Sequence, residues 1–270
     1  MTFGLFVRLI SFIIIFCSQK RIYNLLKTVE EFILKCQKIH CKVSDQFFIL
    51  ILIFFTDFFL KTITYGLEIE SLFYVLLDVQ EHFYIFIVLT ITQSIEGISI
   101  LLRSHDIINS ESENESIQAL VEVINDIDVL FDAVNKTFGM LMLTIISHDF
   151  MGGFVTMFML AQKVASRRDI FSEDDFIMLY IICIIYIQIK IMTFSYISHR
   201  AYEKAEIVHK LCSKSFNRIG RIEILDIHTD IAKLGCGFFN FDWNLFNIVF
   251  STEIIYFVAM VQLQQTLNSK

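Results

Sequence analysis

Asp78, Glu81 and His82 fall at i, i+3 and i+4, so a helix through them carries all three on one face. They sit inside an apolar run, where ionisable groups turn toward a cavity or a partner helix. Two further groups stand out in the apolar stretch "IIYFVAMVQLQQ" and just before it: Glu253 and Gln262. His148 and Asp149 are adjacent, hence on different faces, and suit a helix–helix contact. Cys36, His40 and Cys41 are the only group suggestive of a metal, but three donors on a basic linker lack a fourth, and no metal or cofactor is expected. The chain has no glycine-rich phosphate loop, no His-Glu-x-x-His and no nucleophile elbow, so no enzyme is expected.

At 100° per residue, Asn244, Ser251 and Ile255 lie within about 20° of Gln262, Val258 and Ile248 within about 40°, and Ala259 within about 60°. A face carrying Asn, Ser and Gln in line gains nothing from lipid, because a polar group in hydrocarbon costs free energy unless it is paired or wetted. A water-filled path at a helix bundle accounts for the line; the alternative is that Gln262 caps an outer interface by bonding to a neighbour. Glu253 points about 180° away from Gln262. It suits a buried pairing with another helix, Lys190 being one partner within reach of the preceding span.

The elements that must hold these residues are long and greasy. Of 270 residues, 55% are hydrophobic and 29 are phenylalanine; mean hydropathy is +0.62. Ordinary soluble domains stop near 45–50% apolar. Proline is absent and glycine occurs nine times, so little ends or kinks a helix. No ten-residue alternation of the kind a membrane barrel needs persists. The pattern predicts an all-α, polytopic membrane helix bundle with spans near 3–17, 47–66, 72–101, 137–162, 175–197 and 241–263, each about the length that crosses roughly 30 Å of hydrocarbon, the first being short. The first stretch has an interruption at Arg8 and no small-residue cleavage site, which argues against a secretory signal. Six cysteines are scattered singly and read as mostly reduced thiols.

Residues 18–46 carry Lys20, Arg21, Lys27, Lys35, Lys38 and Lys42, and residues 198–236 carry seven more Lys and Arg. The excess of Lys and Arg puts both on the cytosolic side. An alternating thread then places 102–136 inside and the C-terminus outside. The 102–136 segment holds eight acids, and within it 117–134 predicts an amphipathic helix through Leu120, Val121, Ile124, Ile127 and Phe131. Residues 198–235 are helical by pattern, with Ile207, Leu211 and Ile219 among charges, and too charged to cross. Two glycosylation sequons, Asn114-Glu-Ser and Asn135-Lys-Thr, fall on the cytosolic side of this topology, where they cannot be modified. The net charge of −7 says little, because orientation is set by where Lys and Arg lie and hardly by the total; no nucleic-acid partner is expected.

The stretch 235–265 resembles the last helix of the insect gustatory receptors, within the insect chemoreceptor group. That family's pattern is a Gly-Phe-Phe stretch and an acid, then Thr-Tyr, five apolar residues and Gln-Phe. This chain offers Gly237, Phe238, Phe239, Asp242, Tyr256, Gln262 and Leu263, with Ile255 in place of the Thr and Leu263 in place of the Phe. "VNKTFGMLMLTIISHDFM" at 134–151 and "YEKAEIVHKL" at 202–211 are similar to upstream parts of the family, so the resemblance covers about 125–265.

The resemblance implies seven membrane helices with a cytosolic N-terminus and an extracellular C-terminus, in a single plasma-membrane chemoreceptor domain whose first helix is missing here. It implies a homo- or hetero-tetramer with a central cation pore lined by the last helix. Gln262 would stand at its outer constriction, and Ser251, Ile255, Val258 and Ala259 would line the path below. It also implies a tastant pocket open to the outside, to which Asp78, Glu81 and His82, with Tyr65, Tyr74 and Tyr180, are assigned; an internal polar cluster holding helices together explains the same residues. Asp242 and Trp243 would mark the cytosolic start of the last helix, as a structural hinge. The expected function is a tastant-gated cation channel subunit, with a truncated non-conducting receptor or a secondary transporter as alternatives. A transporter predicts repeated halves and broken helices, which the sequence lacks. A G-protein-coupled receptor needs the opposite orientation.

Overall fold

The absence of proline shows in the length of the helices. In a computed structural model, which describes residues 2–39, 69–103, 113–165, 174–219, 233–236 and 239–268, five helices take up nearly all of these positions. They are α1 (Thr2–Lys38), α2 (Ile69–Arg103), α3 (Glu113–Ala165), α4 (Asp174–Ile219) and α5 (Trp243–Asn268). Among the described residues there is no strand, only an isolated bridge between Gly235 and Asn240.

Among the described residues, four stretches are long and apolar enough to cross a membrane: Val79–Arg103, Gln118–Lys163, Tyr180–Ser213 and Trp243–Thr266. They overlap four of the six expected spans. The 3–17 run lies on α1, and the 47–66 run lies outside the described residues. α3 has 53 residues and is about 80 Å long, more than twice the hydrocarbon thickness. The span expected at 175–197 runs on through 198–219 as one unbroken α4, so that part of the charged linker is a continuation of a helix.

The chain divides into two units. The first comprises Met1–Met142 and Ile197–Asn240, and the second Leu143–Tyr196 and Phe241–Lys270. In the first, each helix buries one row at spacings of three and four: Leu25, Val29, Phe32 and Cys36 on α1; Tyr84, Ile87, Val88, Ile91, Ile95 and Ile98 on α2; Leu120, Ile124, Ile127 and Phe131 on α3. The last four are the expected amphipathic stripe, with Val121 half-buried beside it. On α4 the buried row is Ala201, Ala205, Val208 and Cys212, while Ile207 and Leu211 are only half-buried. Small side chains in a buried row of this kind allow helix backbones to come close together.

Several polar groups inside this unit are satisfied locally or in pairs. Thr92, Ser94 and Thr137 donate to the carbonyls of Val88, Thr90 and Ala133 one turn back. The Tyr84 hydroxyl bonds that of Ser198 at 2.8 Å, and its ring meets Phe138 edge-on at 5.6 Å. Glu96 on α2 takes Lys204 at 2.7 Å and Arg200 at 3.8 Å on α4. Lys35 on α1 bridges Asp126 and Glu122 on α3, each at 2.7 Å, so part of the acidic segment is neutralised by the basic linker. Hydrogen bonds donated to Asp126 first and then to Glu122 hold the Lys35 ammonium well above its ordinary pKa. Cys36, Cys183, Cys212 and Cys236 are free thiols.

Candidate functional site

α5 begins on a side-chain cap. Asp242 Oδ1 accepts the amide N–H of Asn244 at 2.9 Å and that of Leu245 at 3.3 Å, satisfying donors that a helix start otherwise leaves open. Aromatic rings follow at helical spacing. Trp243 meets Phe246 edge-on at 6.2 Å, Phe246 stacks on Phe250 at 5.7 Å, and Tyr196 of α4 lies 6.2 Å from Trp243. The Asp242 carboxylate is therefore engaged with the backbone of its own helix.

About three turns beyond the cap, Glu253 is fully buried, with 0% of its surface exposed. Its Oε2 accepts a hydrogen bond from the side-chain amide of Gln188 on α4. Gly153 of α3 stands against it so closely that a Cβ there would lie 2.6 Å from Glu253 Oε1. A side chain at that position would oblige the carboxylate end of Glu253 to shift. The expected buried pairing with a neighbouring helix is present, but its partner is Gln188 and not Lys190. Two residues apart on α4, these side chains point about 200° apart, and Lys190 goes to Asp149 of α3, with Nζ 2.9 Å from Oδ2. His148 Nδ1 lies 3.7 Å from the other Asp149 oxygen. Asp149 thus makes the helix–helix contact its mid-span position implied.

The opposite face of α5 is bare. Ser251, Ile255, Val258, Ala259 and Gln262 are all exposed, Ile255 by 67% and Val258 by 47%. Asn244 and Ile248, from the same stripe, are exposed as well. Tyr256, half-exposed, packs edge-on against Phe154 of α3 at 5.4 Å. A single helix therefore presents an anchored side built on one carboxylate and an uncovered side that mixes small, apolar and amide groups.

In the first unit, the segment preceding α5 is fastened to α3. Asn135 donates from Nδ2 to the Lys233 carbonyl and accepts the Gly235 N–H at Oδ1, both at 2.8 Å. One turn later, a Cβ on Gly139 would lie 2.9 Å from the Gly235 oxygen and 3.1 Å from the Cys236 Cα. Cys236 N–H closes a 3.0 Å bond to the Phe239 carbonyl. The Asn and Phe-Gly of the 134–151 pattern have a physical reason here: one clamps the segment and the other admits it. Of the motif residues, Phe239 is exposed, and Gly237 and Phe238 lie outside the described residues.

The residues assigned to a ligand pocket are only partly brought together. Glu81 is buried and His82 half-buried on α2, both in the first unit; Tyr180 is half-buried and belongs to the second. Tyr74 and Asp78 lie on the first turns of α2, with side chains outside the described residues, and Tyr65 lies outside them altogether. Residues that spacing alone did not single out are Gln188 and Gly153. Their signal was a lone amide in "YIICIIYIQIK" and a Gly-Gly pair four residues past Asp149.

Comparison with protein-family models and with curated proteins returns no match for this chain.

Proposed function

We propose that the chain is a subunit of a small-molecule-gated cation channel of the plasma membrane, of the insect gustatory receptor type, in which several copies of α5 surround a wet axis. One observation carries the reading: the polar stripe of the last helix, Asn244, Ser251 and Gln262, lies on its exposed face, while Glu253, about 180° away, is fully buried in the chain's own packing. A helix bathed only in lipid places amides inward and aliphatic groups outward, because an amide facing hydrocarbon is costly. The reverse arrangement on α5 makes sense when other copies and water complete the face. Gln262 from each copy then rings the outer mouth, with Val258, Ala259 and Ile255 narrowing the path and Ser251 deeper in; rings of one residue repeated by symmetry are how such constrictions form.

In this reading the C-terminus is extracellular, and a tastant binds on the outer side of α2, with the buried Glu81 and its neighbour His82 in the wall. The test is substituted-cysteine accessibility in cells expressing the chain. Cysteines at 255, 258 and 262 are expected to react with membrane-impermeant thiol reagents from the outside and one at 253 is not. Free reaction at 253 with none at 262 overturns the proposal. Expression in oocytes with panels of sugars, bitter compounds and amino acids, read as inward cation current, separates a conducting subunit from a silent one.

A further inference from the structure

The first unit holds a cleft of about 550 Å3 between α1 and α3, bordered by Arg21, Asn24 and Leu25 on one wall and Ala133, Lys136 and Met140 on the other. Arg21 ties the walls together by donating from Nη1 to the Lys136 carbonyl at 3.2 Å, which leaves its remaining N–H groups for another acceptor. The Lys136 ammonium is held by Asp132 one turn away, at 2.5 Å. Among the described residues no carboxylate pairs with Arg21. The cleft therefore has one cation compensated and one not, and Asn24 shares the Arg21 face at i, i+3. Leu25, Ala133 and Met140 add hydrocarbon to the lining, and Thr28, Asn135, Thr137 and Cys236 border it as well.

The depth of the cleft is readable from both walls. On α1 the apolar run ends at residue 17, four residues before Arg21, an axial rise of about 6 Å. On α3 the apolar run begins at 137, directly after Lys136. Both walls change from apolar to charged at the level of the cleft, and a headgroup layer about 5–8 Å thick lies just beyond the hydrocarbon. The surrounding Lys20, Lys27 and Lys35 put this level on the cytosolic leaflet, where anionic lipids concentrate.

We propose that this cleft is a binding site for an anionic phospholipid of the cytosolic leaflet, with its phosphodiester on Arg21 and Asn24 and the upper part of its acyl chains against Leu25 and Met140. A single uncompensated cation matches the single charge of a phosphodiester better than the two charges of a phosphomonoester. A lining that sets Leu25 and Met140 beside the polar groups suits an amphiphile, which uses both, over a free anion. The site depends on the membrane location of the chain and not on whether it conducts.

The test uses the full chain, delipidated in detergent. It is offered phosphatidylglycerol, phosphatidylcholine or inorganic phosphate, and bound lipid is counted by native mass spectrometry. Phosphatidylglycerol is expected to be retained about fivefold over phosphatidylcholine, the worth of roughly one surface cation. Arg21→Gln and the cleft-filling Met140→Trp each abolish that preference, while Lys27→Gln, whose ammonium pairs with Glu31 outside the cleft, leaves it intact. Each variant must keep the elution volume of the parent; if Arg21→Gln does not, Met140→Trp decides alone. Equal retention of both lipids, an equal loss on Lys27→Gln, or preference surviving Met140→Trp overturns the site. Displacement of the lipid by millimolar phosphate overturns the lipid in favour of a free anion.

Discussion

α2 and α5 carry similar hydropathy, 1.9 and 1.6 over their most apolar windows, yet half of the α2 window is buried inside the chain and only 17% of the α5 window is. Their polar groups are sorted in opposite senses. On α2, Glu81, Thr92, Ser94 and Ser99 are buried; on α5, Asn244, Asn247, Ser251 and Gln262 are exposed and only Glu253 is inside. Hydropathy reports that a helix avoids water, but not what replaces the water. Half of the α2 window is covered by its own chain, whereas α5 buries Glu253 and Val249, packs Tyr256 on Phe154, and leaves most of its surface uncovered by the described residues.

The contrast breaks most sharply at the buried charges of the second unit. Asp149→Ala leaves the Lys190 ammonium inside without its partner, and breaking a buried pair this way costs about 3–5 kcal/mol. A large fall in the yield of monodisperse protein and in its thermal midpoint is expected, with Asp149→Ala/Lys190→Met recovering most of it. If the single variant melts with the parent, the Asp149–Lys190 pair does not hold α3 to α4. A smaller loss, about 1–3 kcal/mol, is expected on α2 from Tyr84→Phe, which strands the Ser198 hydroxyl in a buried site. Adding Ser198→Ala restores stability if the hydrogen bond is the cause; no recovery assigns the loss to ring packing against Phe138.

What the amino-acid pattern revealed were periods and faces. The missing prolines and the 3–4 spacing of Leu120, Ile124, Ile127 and Phe131 foretell a long helix with that buried row, and rotation at 100° per residue puts Glu253 opposite Gln262, one buried and the other exposed. Which neighbour meets a face was not legible. Lys190 looked like the partner of Glu253 because charge attracts charge, yet Gln188 takes the carboxylate, since the azimuth of α4 is set by packing that no single helix encodes. Gly153 was invisible for the same reason: its role is the space it leaves for a side chain a hundred residues away. The row Ala201, Ala205, Val208 and Cys212 was missed because the larger Ile207 and Leu211 beside it dominate the apolar pattern, although small residues are the ones that let helices pack closely.

A weaker effect sharpens the comparison on α1. Lys35→Gln removes a partly exposed bridge to Asp126 and Glu122, worth less than about 1 kcal/mol after solvent screening. Because the folded state raises the Lys35 pKa, the bridge contributes fully below the unfolded lysine value near 10.4 and is lost as pH rises through the folded one. Parent and variant should therefore differ in thermal midpoint at neutral pH and converge at strongly alkaline pH and in high salt. A gap that persists in high salt assigns the effect to packing of the lysine stem.

The smallest effect on stability belongs to the exposed face of α5, and there the comparison becomes functional. Gln262→Ala and Ser251→Ala remove groups with no role in the chain's own packing, so each should shift the thermal midpoint by no more than surface substitutions do, within about 0.5 kcal/mol. If this face lines a permeation path, the same two variants change cation current or its block in cells while leaving surface expression intact, because a ring of identical side chains at a constriction multiplies one substitution by the number of subunits. Gly153→Ala gives the complementary outcome: it presses on Glu253 and lowers stability first, with current lost only in proportion to folded protein. Two variants on one side that spare the fold and alter current, and one on the other that does the reverse, would assign the anchoring and conducting roles to opposite faces of a single helix. Equal behaviour of all three leaves α5 as a packing element with no path along it.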